Sequence, residues 1–326
     1  MQLTTSFDIP SHPALISFND KILSLGSCFA ESMGNKMKEL KMDILINPFG
    51  TLFHPIPICQ LLEAALEEKP FPENMFLERD GMHFHYWTHS QVMGYSFEEL
   101  RGKLTGQRFL VKEYLLKCDY LILTLGTAWL YELTQSSEAV ANCHKQPSKL
   151  FTKRLTGLDE MSNYLKKIFT LLKELNPNLK IILTVSPVRH IKDGIPENQF
   201  SKSLLRVLCG NLEEQHAQVQ YFPSYEIMVD ELRDYRFYKP DLIHPTEQAE
   251  EYIWEKWKNS LFTKETQNLF DKIKSVKLEL EHRPLNPKSE AHKKFLRNLK
   301  EKLERLNDQF DFSSELEKVN AELSDF

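Results

Sequence analysis

The chain of 326 residues has only five cysteines, an odd number without CxxC pairs. This argues against a disulfide framework and against a zinc knuckle. It has no apolar run long enough to span a bilayer, and its first residues lack the basic and apolar segments of a secretory signal. With a formal net charge of −5, the composition indicates neither a nucleic-acid nor a membrane partner. We therefore expect a soluble cytoplasmic protein.

What the sequence does contain is a series of short apolar strands that alternate with amphipathic helices. This alternation predicts a parallel, doubly wound α/β sheet. The strand patterns cover 22–25, 42–46, 118–125, 180–185 and 219–222, and the main helical patterns cover 58–68, 97–117, 158–175 and 199–215. Residues 75–90 instead alternate like an antiparallel ribbon that turns at Asp80-Gly81. Residues 129–149 are predicted to be irregular.

The composition changes near residue 262. From there to residue 326 the chain is rich in Lys, Glu and Leu at helical spacing, interrupted by Pro284 and Pro287. We predict an α/β domain at 1–261 and a C-terminal helical hairpin with a short third helix at 262–326. The apolar stripe of these helices would pack on the domain or form a homodimer, and both options stay open.

The first strand ends at a turn that carries both a hydroxyl and a thiol, Gly26-Ser27-Cys28, and a helical pattern follows. A helix N-terminus directs free N–H groups and a positive dipole toward groups on such a turn, which suits a nucleophile or a bound anion. Simple packing of small residues is the alternative. In doubly wound sheets the site lies at the carboxyl ends of the strands, where Gly50, Gly126 and Ser186 are also expected.

A second constellation is Asp241-x-x-His244, near the end of the α/β region. At this spacing the carboxylate can hold one imidazole nitrogen while the other faces a nucleophile. The motif is common, and alone it is more often structural. Arg189, which follows the strand end at Ser186, would bind a substrate carboxylate or phosphate, or else form a salt bridge.

Three histidines of the predicted ribbon, His83, His85 and His89, offer a metal-site alternative. On a regular strand they would share one face, which is a geometry for zinc or manganese. No acidic or cysteine partner nearby has strong ligand spacing, so aromatic packing is favoured. We expect neither a metal nor another cofactor.

Several segments in order resemble one family. They are GSCFA (26–30), NPFGTLFH (47–54), LTLGTAWLY (123–131), ANCHK (141–145), TVSPVRH (184–190) and DLIHP (241–245). Over about residues 18–257 the chain resembles the GSCFA-domain proteins, distant relatives of the SGNH/GDSL hydrolases. The resemblance implies a three-layer α/β/α sandwich with a mostly parallel, flavodoxin-like sheet. It also implies ester hydrolysis or acyl transfer through a covalent acyl-enzyme.

The resemblance also implies roles for individual residues. His244 would be the base and Asp241 its orienting partner, while Gly50 would give a backbone N–H to the oxyanion hole. The register of the superfamily's Gly-Asp-Ser puts Cys28 at the attacking position. The opposite assignment, with Ser27 attacking, stays open. The helix N-terminus and His244 would both favour a thiolate at Cys28.

The chain departs from the superfamily at the block that normally reads Gly-x-Asn, which here is Gly126-Thr127-Ala128. Thr127 and Asn142 are the candidates to replace the missing oxyanion donor, whose loss typically costs about 2.7–4 kcal/mol. We expect an esterase or acyltransferase acting on a small-molecule or acylated-carbohydrate ester. The alternative is a non-catalytic carbohydrate-binding module on the same scaffold.

Overall fold

The computed structural model describes residues 5–307 and 310–324. The strands are β1 (Ile22–Gly26), β2 (Ile44–Ile46), β3 (Phe76–Arg79), β4 (Met82–His85), β5 (Tyr120–Leu125), β6 (Trp129–Leu133), β7 (Ala139–Val140), β8 (Phe151–Leu155), β9 (Lys180–Val185) and β10 (Val219–Phe222). The helices of the α/β region are α1 (Cys28–Glu39), α2 (Pro55–Leu66), α3 (Phe97–Lys117), α4 (Leu158–Leu175), α5 (Ile195–Gln215), α6 (Ser224–Glu226, continued by a π-helical segment at Ile227–Leu232) and α7 (Glu247–Leu261). Three more follow: α8 (Lys264–Leu280), α9 (Glu290–Asn307) and α10 (Ser313–Ser324).

Five strands form a parallel sheet in the order β10-β9-β5-β1-β2. Counted along the chain among these five strands alone, the order is 2-1-3-4-5, which is the flavodoxin-like arrangement. The prediction of a mostly parallel, doubly wound sheet is confirmed. In this arrangement the chain reverses its direction of winding between β1 and β5, and ligands bind outside the strand ends at that point.

The central strands are buried on both faces because successive side chains enter two separate cores. Leu23 and Leu121 pack into the core that α2, α3, α4 and α5 cover. Ile22 and Ile122 point the other way, into a core with Phe29 of α1 and residues of α7. Helices therefore cover both faces, which makes the predicted three-layer α/β/α sandwich.

The prediction of an irregular segment at 129–149 is wrong. Strands β6, β7 and β8 form a small antiparallel sheet in the order β7-β6-β8. Its two outer strands carry no recognisable strand pattern, because β7 has only two residues and β8 reads FTKRL. The ribbon prediction holds for β3 and β4, whose turn is at Asp80-Gly81.

The C-terminal helices are present as predicted, and the first of them packs on the α/β region. Phe262 and Phe270 are buried in the same core as Trp254 of α7. Helices α9 and α10 form a further apolar cluster with the end of α8. Within the described residues, no helix is both long and apolar enough to cross a membrane. A homodimer through these helices stays a prediction.

Candidate active site

The turn after β1 is shaped by a glycine that no other residue could replace without strain. Gly26 has a φ of +142°, and a Cβ there would lie 2.2 Å from the carbonyl oxygen of Thr124. Its N–H donates to Asn47 Oδ1 at 2.9 Å, which ties the end of β1 to the residue that follows β2. The chain thus enters Ser27-Cys28 in one fixed direction.

Ser27 is fully buried and bonded within the protein. Its hydroxyl donates to Ser186 Oγ at 2.8 Å and accepts the N–H of Phe29 at 3.3 Å, which caps α1. Because Ser186 follows β9, this bond joins the ends of β1 and β9 across β5. These contacts argue against Ser27 as the attacking group.

Cys28 is the first residue of α1 and is half-buried. Burial raises the pKa of its thiol, and the carboxylates of Glu31 and Glu250 raise the pKa further; only its own backbone N–H acts in the opposite direction. At neutral pH the thiol is therefore protonated, and the predicted effect of His244 on it stays a prediction. The N-terminal N–H does favour the anion, as expected, but desolvation and the two carboxylates outweigh it.

Asp241 and His244 form the predicted pair. His244 Nδ1 lies 2.7 Å from Asp241 Oδ2, and Asp241 Oδ1 accepts the N–H groups of Ile243 and His244 at 2.8 and 3.0 Å. The bond from the imidazole and the two N–H bonds hold the pKa of Asp241 at about 2. With Nδ1 donating to a carboxylate, Nε2 keeps its lone pair, as a general base requires.

Arg189 positions this loop. Its backbone N–H donates to Ile243 O at 3.1 Å and its guanidinium Nη1 donates to Leu242 O at 2.9 Å. The guanidinium also lies 5.4 Å from the ring centroid of Tyr238. Among the residues described, no acidic side chain pairs with Arg189, so the salt-bridge alternative is not observed. Part of its hydrogen-bonding capacity is already used by the loop.

The two halves of the site are anchored to the same strand end. Ser27 bonds to Ser186, and Arg189, three residues later, bonds to the His244 loop. A further link joins α1 to α7, where Ser32 Oγ donates to Glu250 Oε2 at 2.6 Å. No hydrogen bond joins Cys28 to His244 in the described ranges.

The backbone N–H expected in the oxyanion hole is engaged elsewhere. Gly50 has a φ of +75° and donates its N–H to Asn47 O at 2.8 Å. A Cβ at Gly50 would lie 2.4 Å from the Cβ of His89, so close packing accounts for this glycine. In this conformation Gly50 does not offer the donor that the resemblance implies.

The two predicted side-chain substitutes form local hydrogen bonds. Thr127 Oγ1 lies 3.1 Å from Ser201 Oγ and accepts the N–H of Trp129 at 3.1 Å. Asn142 uses Oδ1 to accept the N–H of His144 at 2.7 Å, which stabilises its own turn. Neither side chain is held toward Cys28 by a contact in the structure.

His190 is a candidate donor that the sequence analysis missed. Its Nε2 is buried without a hydrogen-bond partner in the described part of the chain, and a Cβ at Gly126 would lie 3.1 Å from that nitrogen. Burial lowers the pKa of His190 to about 3, so the ring is neutral and can donate one N–H. The segment VSPVRH placed His190 at a strand end, but sequence gives no sign of an unpartnered nitrogen.

A lysine is buried beneath the same strand end. Lys202 donates from Nζ to Ser186 O at 2.7 Å, and burial lowers its pKa to about 7. The residue that bonds to Ser27 is therefore held by α5 as well.

The histidine metal site is not formed. His85 Nδ1 accepts the N–H of Trp87 at 3.1 Å, and its Nε2 lies 3.3 Å from Pro72 O in a fully buried position. Both nitrogens are thus occupied, and His83 and His89 cannot complete a site with it. Across 5–307 and 310–324, no group of three His, Cys, Asp or Glu side chains could hold a metal ion.

Fold and site define an α/β sandwich protein with a cysteine turn and an Asp–His loop at the carboxyl edge of its sheet. The sequence model of the GSCFA family matches residues 21–257, and that of the GSCFA domain protein, C-terminal domain, matches residues 273–325. The chain therefore belongs to the GSCFA family. A comparison with curated proteins gave no match.

Proposed function

We propose that this protein is an SGNH-like esterase or acyltransferase that forms an acyl-enzyme on Cys28. The observation that carries the proposal is the 2.7 Å contact between Asp241 and His244, on a loop bonded to the strand end that also anchors the cysteine turn. An oriented imidazole on the same sheet edge as a half-buried thiol is the arrangement that nucleophilic catalysis needs.

Because the thiol is protonated at rest, attack requires a base. His244 Nε2 takes the proton from Cys28 Sγ as the sulfur bonds to the ester carbonyl carbon. The tetrahedral intermediate then expels an alkoxide, which takes that proton from His244 and leaves a thioester on Cys28. Water or a second alcohol, deprotonated by His244, attacks the thioester, and the proton returns to the cysteine sulfur.

The donors that we propose for the oxyanion of the intermediate differ from the three predicted ones. The backbone N–H of Cys28 is in the first turn of α1 and has no intrahelical acceptor. The neutral imidazole of His190, with Nε2 facing Gly126, is the second donor in this proposal. We take the substrate to be an acylated carbohydrate or another small ester. The location proposed is the cytoplasm, and the free state of Cys28, Cys59, Cys118, Cys143 and Cys209 supports this.

The test is intact-mass analysis after brief mixing with activated acyl esters, followed by peptide mapping. We expect a transient adduct on Cys28 that is absent in Cys28→Ala and forms roughly 10²–10⁴ times more slowly in His244→Ala. Cys143→Ala is the matched control, because Cys143 is the other half-buried thiol. An adduct on Ser27 would reverse the nucleophile assignment.

The second candidate is a non-catalytic carbohydrate-binding module. The internal hydrogen bond of the Gly50 N–H and the contact of the Thr127 hydroxyl with Ser201 favour it. This function predicts sugar binding that is unchanged in His244→Ala, together with no adduct and no turnover for any ester.

A further inference from the structure

A cavity of about 260 Å³ opens beside the candidate site. Phe53, Thr127 and His190 line its inner part, and the small sheet β7-β6-β8 supplies much of the outer wall, including Trp129 and Lys153. We propose that this cavity binds the acyl part of the ester, and that this acyl part is a short chain ending in a carboxylate. The inference rests on the proposed function for its link to Cys28.

The cavity borders the strand ends that carry the site. The carbonyl oxygen of Phe53 accepts the N–H groups of Gly126 and Thr127 at 2.7 and 3.1 Å. The preceding residue, Leu52, donates its N–H to Gly26 O at 2.8 Å, directly before the cysteine turn. One short loop therefore separates the turn from the cavity. An ester carbonyl placed at Cys28 would direct its acyl chain past Phe53 into this space.

The walls suit a short methylene chain. Phe53, Trp129 and Tyr131 contribute aromatic rings, and Val140 and Ala141 contribute apolar surface. The volume equals about nine waters at roughly 30 Å³ each. An acyl group of four to six carbons fits such a space, whereas a fatty acyl chain exceeds it.

The outer end of the cavity is positively charged. Lys153 Nζ lies 5.2 and 5.1 Å from the ring centroids of Trp129 and Tyr131 and forms an ion pair with Asp193. Lys192, also in the lining, forms no ion pair with any residue that the structure describes.

The two lysines and one aspartate give this lining a formal charge of +1. The two lining histidines do not add to it. Burial lowers the pKa of both His54 and His190 to about 3, so both are neutral near pH 7. An apolar slot with an unbalanced positive charge at its mouth matches a chain with a terminal carboxylate.

The first test measures the binding of free acids, which cannot acylate the protein. The fluorescence of Trp129 reports the binding. Glutarate, which has a carboxylate at each end, is the probe. Butyrate, which has one carboxylate and a methyl end, is the comparison. The Trp129→Phe variant shows whether the signal comes from the cavity. We expect glutarate to bind at least tenfold more tightly than butyrate. Lys192→Ala should abolish that preference, Lys192→Glu should invert it, and exposed Lys149→Ala should leave it unchanged. Equal affinity for glutarate and butyrate would overturn the inference. Displacement of glutarate by inorganic phosphate at the same concentration as by unlabelled glutarate would also overturn it.

The second test separates this inference from the proposed function by comparing acylation with activated glutaryl and butyryl esters. Lys192→Glu should slow the glutaryl reaction at least tenfold and leave the butyryl reaction unchanged. Selective glutarate binding without any adduct would keep the cavity assignment and reject the catalytic proposal. Adducts on Cys28 at equal rates for both esters, without glutarate binding, would keep the catalytic proposal and reject the cavity assignment.

Discussion

The cysteine turn and the histidine loop meet at the end of one strand, yet their surroundings differ. Ser27 is 0% exposed, and both of its hydroxyl contacts are internal. The side chains of His244 and Asp241 are 40% and 45% exposed. One half of the site is fixed in the sheet, whereas the other is a surface loop.

This difference separates structural from functional reasons for the two sets of hydrogen bonds. A buried hydroxyl must be hydrogen-bonded, so stability alone accounts for the bond from Ser27 to Ser186. An exposed pair of hydrogen-bonded side chains adds little stability. The loop also holds Leu242 at a φ of +57°, a conformation that is unfavourable for a residue with a side chain. Stability does not explain this loop, which supports a functional role for it.

The variant Asp241→Asn tests whether the exposed histidine loop has a functional role. The amide cannot orient His244 as the carboxylate does, so we expect acylation of Cys28 to slow roughly 10²–10⁴-fold. The urea midpoint of unfolding should not change, because the pair is exposed. Stopped-flow mass analysis and urea titration measure the two effects. Asp234→Asn, at another exposed loop aspartate that caps a short turn, is the matched control. An unchanged rate would show that the pair has no catalytic role.

Alkylation of Cys28 would show whether its buried surroundings control the thiol. Only the thiolate reacts, and burial with Glu31 and Glu250 raises the pKa of Cys28. The rate with iodoacetamide should therefore rise about tenfold per pH unit from pH 7 to pH 9 without reaching a plateau. Peptide mapping distinguishes Cys28 from Cys143, the other half-buried cysteine.

His244→Ala serves as the control for this profile. It should leave the profile unchanged, because no hydrogen bond from His244 reaches the thiol within the described chain. A plateau already at pH 7 would instead indicate a thiolate–imidazolium pair and contradict this account.

The sequence predicts the parts of the fold that depend on local patterns. The helical pattern at 97–117 coincides with α3, and the continuous apolar run at 180–185 coincides with β9. The Asp241–His244 pair was predictable since its partners are three residues apart. The sheet β7-β6-β8 was not, because β7 has only two residues and β8 reads FTKRL, so neither partner of β6 carries a strand pattern.

The surroundings of the cysteine turn could not be predicted from the sequence. Ser27 meets Ser186, a partner 159 residues away, and the carboxylate of Glu250 approaches Cys28 only because α7 packs beside α1. The unpartnered nitrogen of His190 likewise depends on how β5 and β9 end side by side. Each of these contacts joins distant segments, so no local spacing reveals it.

The variant Ser27→Ala tests whether the buried hydrogen bonds of the cysteine turn serve stability, and it has the smallest expected effect. It removes the cap of α1 and leaves Ser186 without its buried partner, so we expect a loss of about 1–3 kcal/mol in the free energy of unfolding. Ser96→Ala is the matched control, because Ser96 caps α3 from an exposed position and its replacement should cost about 1 kcal/mol. Urea unfolding of the two variants isolates the contribution of the bond across the sheet. If both variants lose the same stability, that bond contributes nothing. If Ser27→Ala is less stable but still forms an adduct on Cys28, then Ser27 positions the turn and Cys28 attacks.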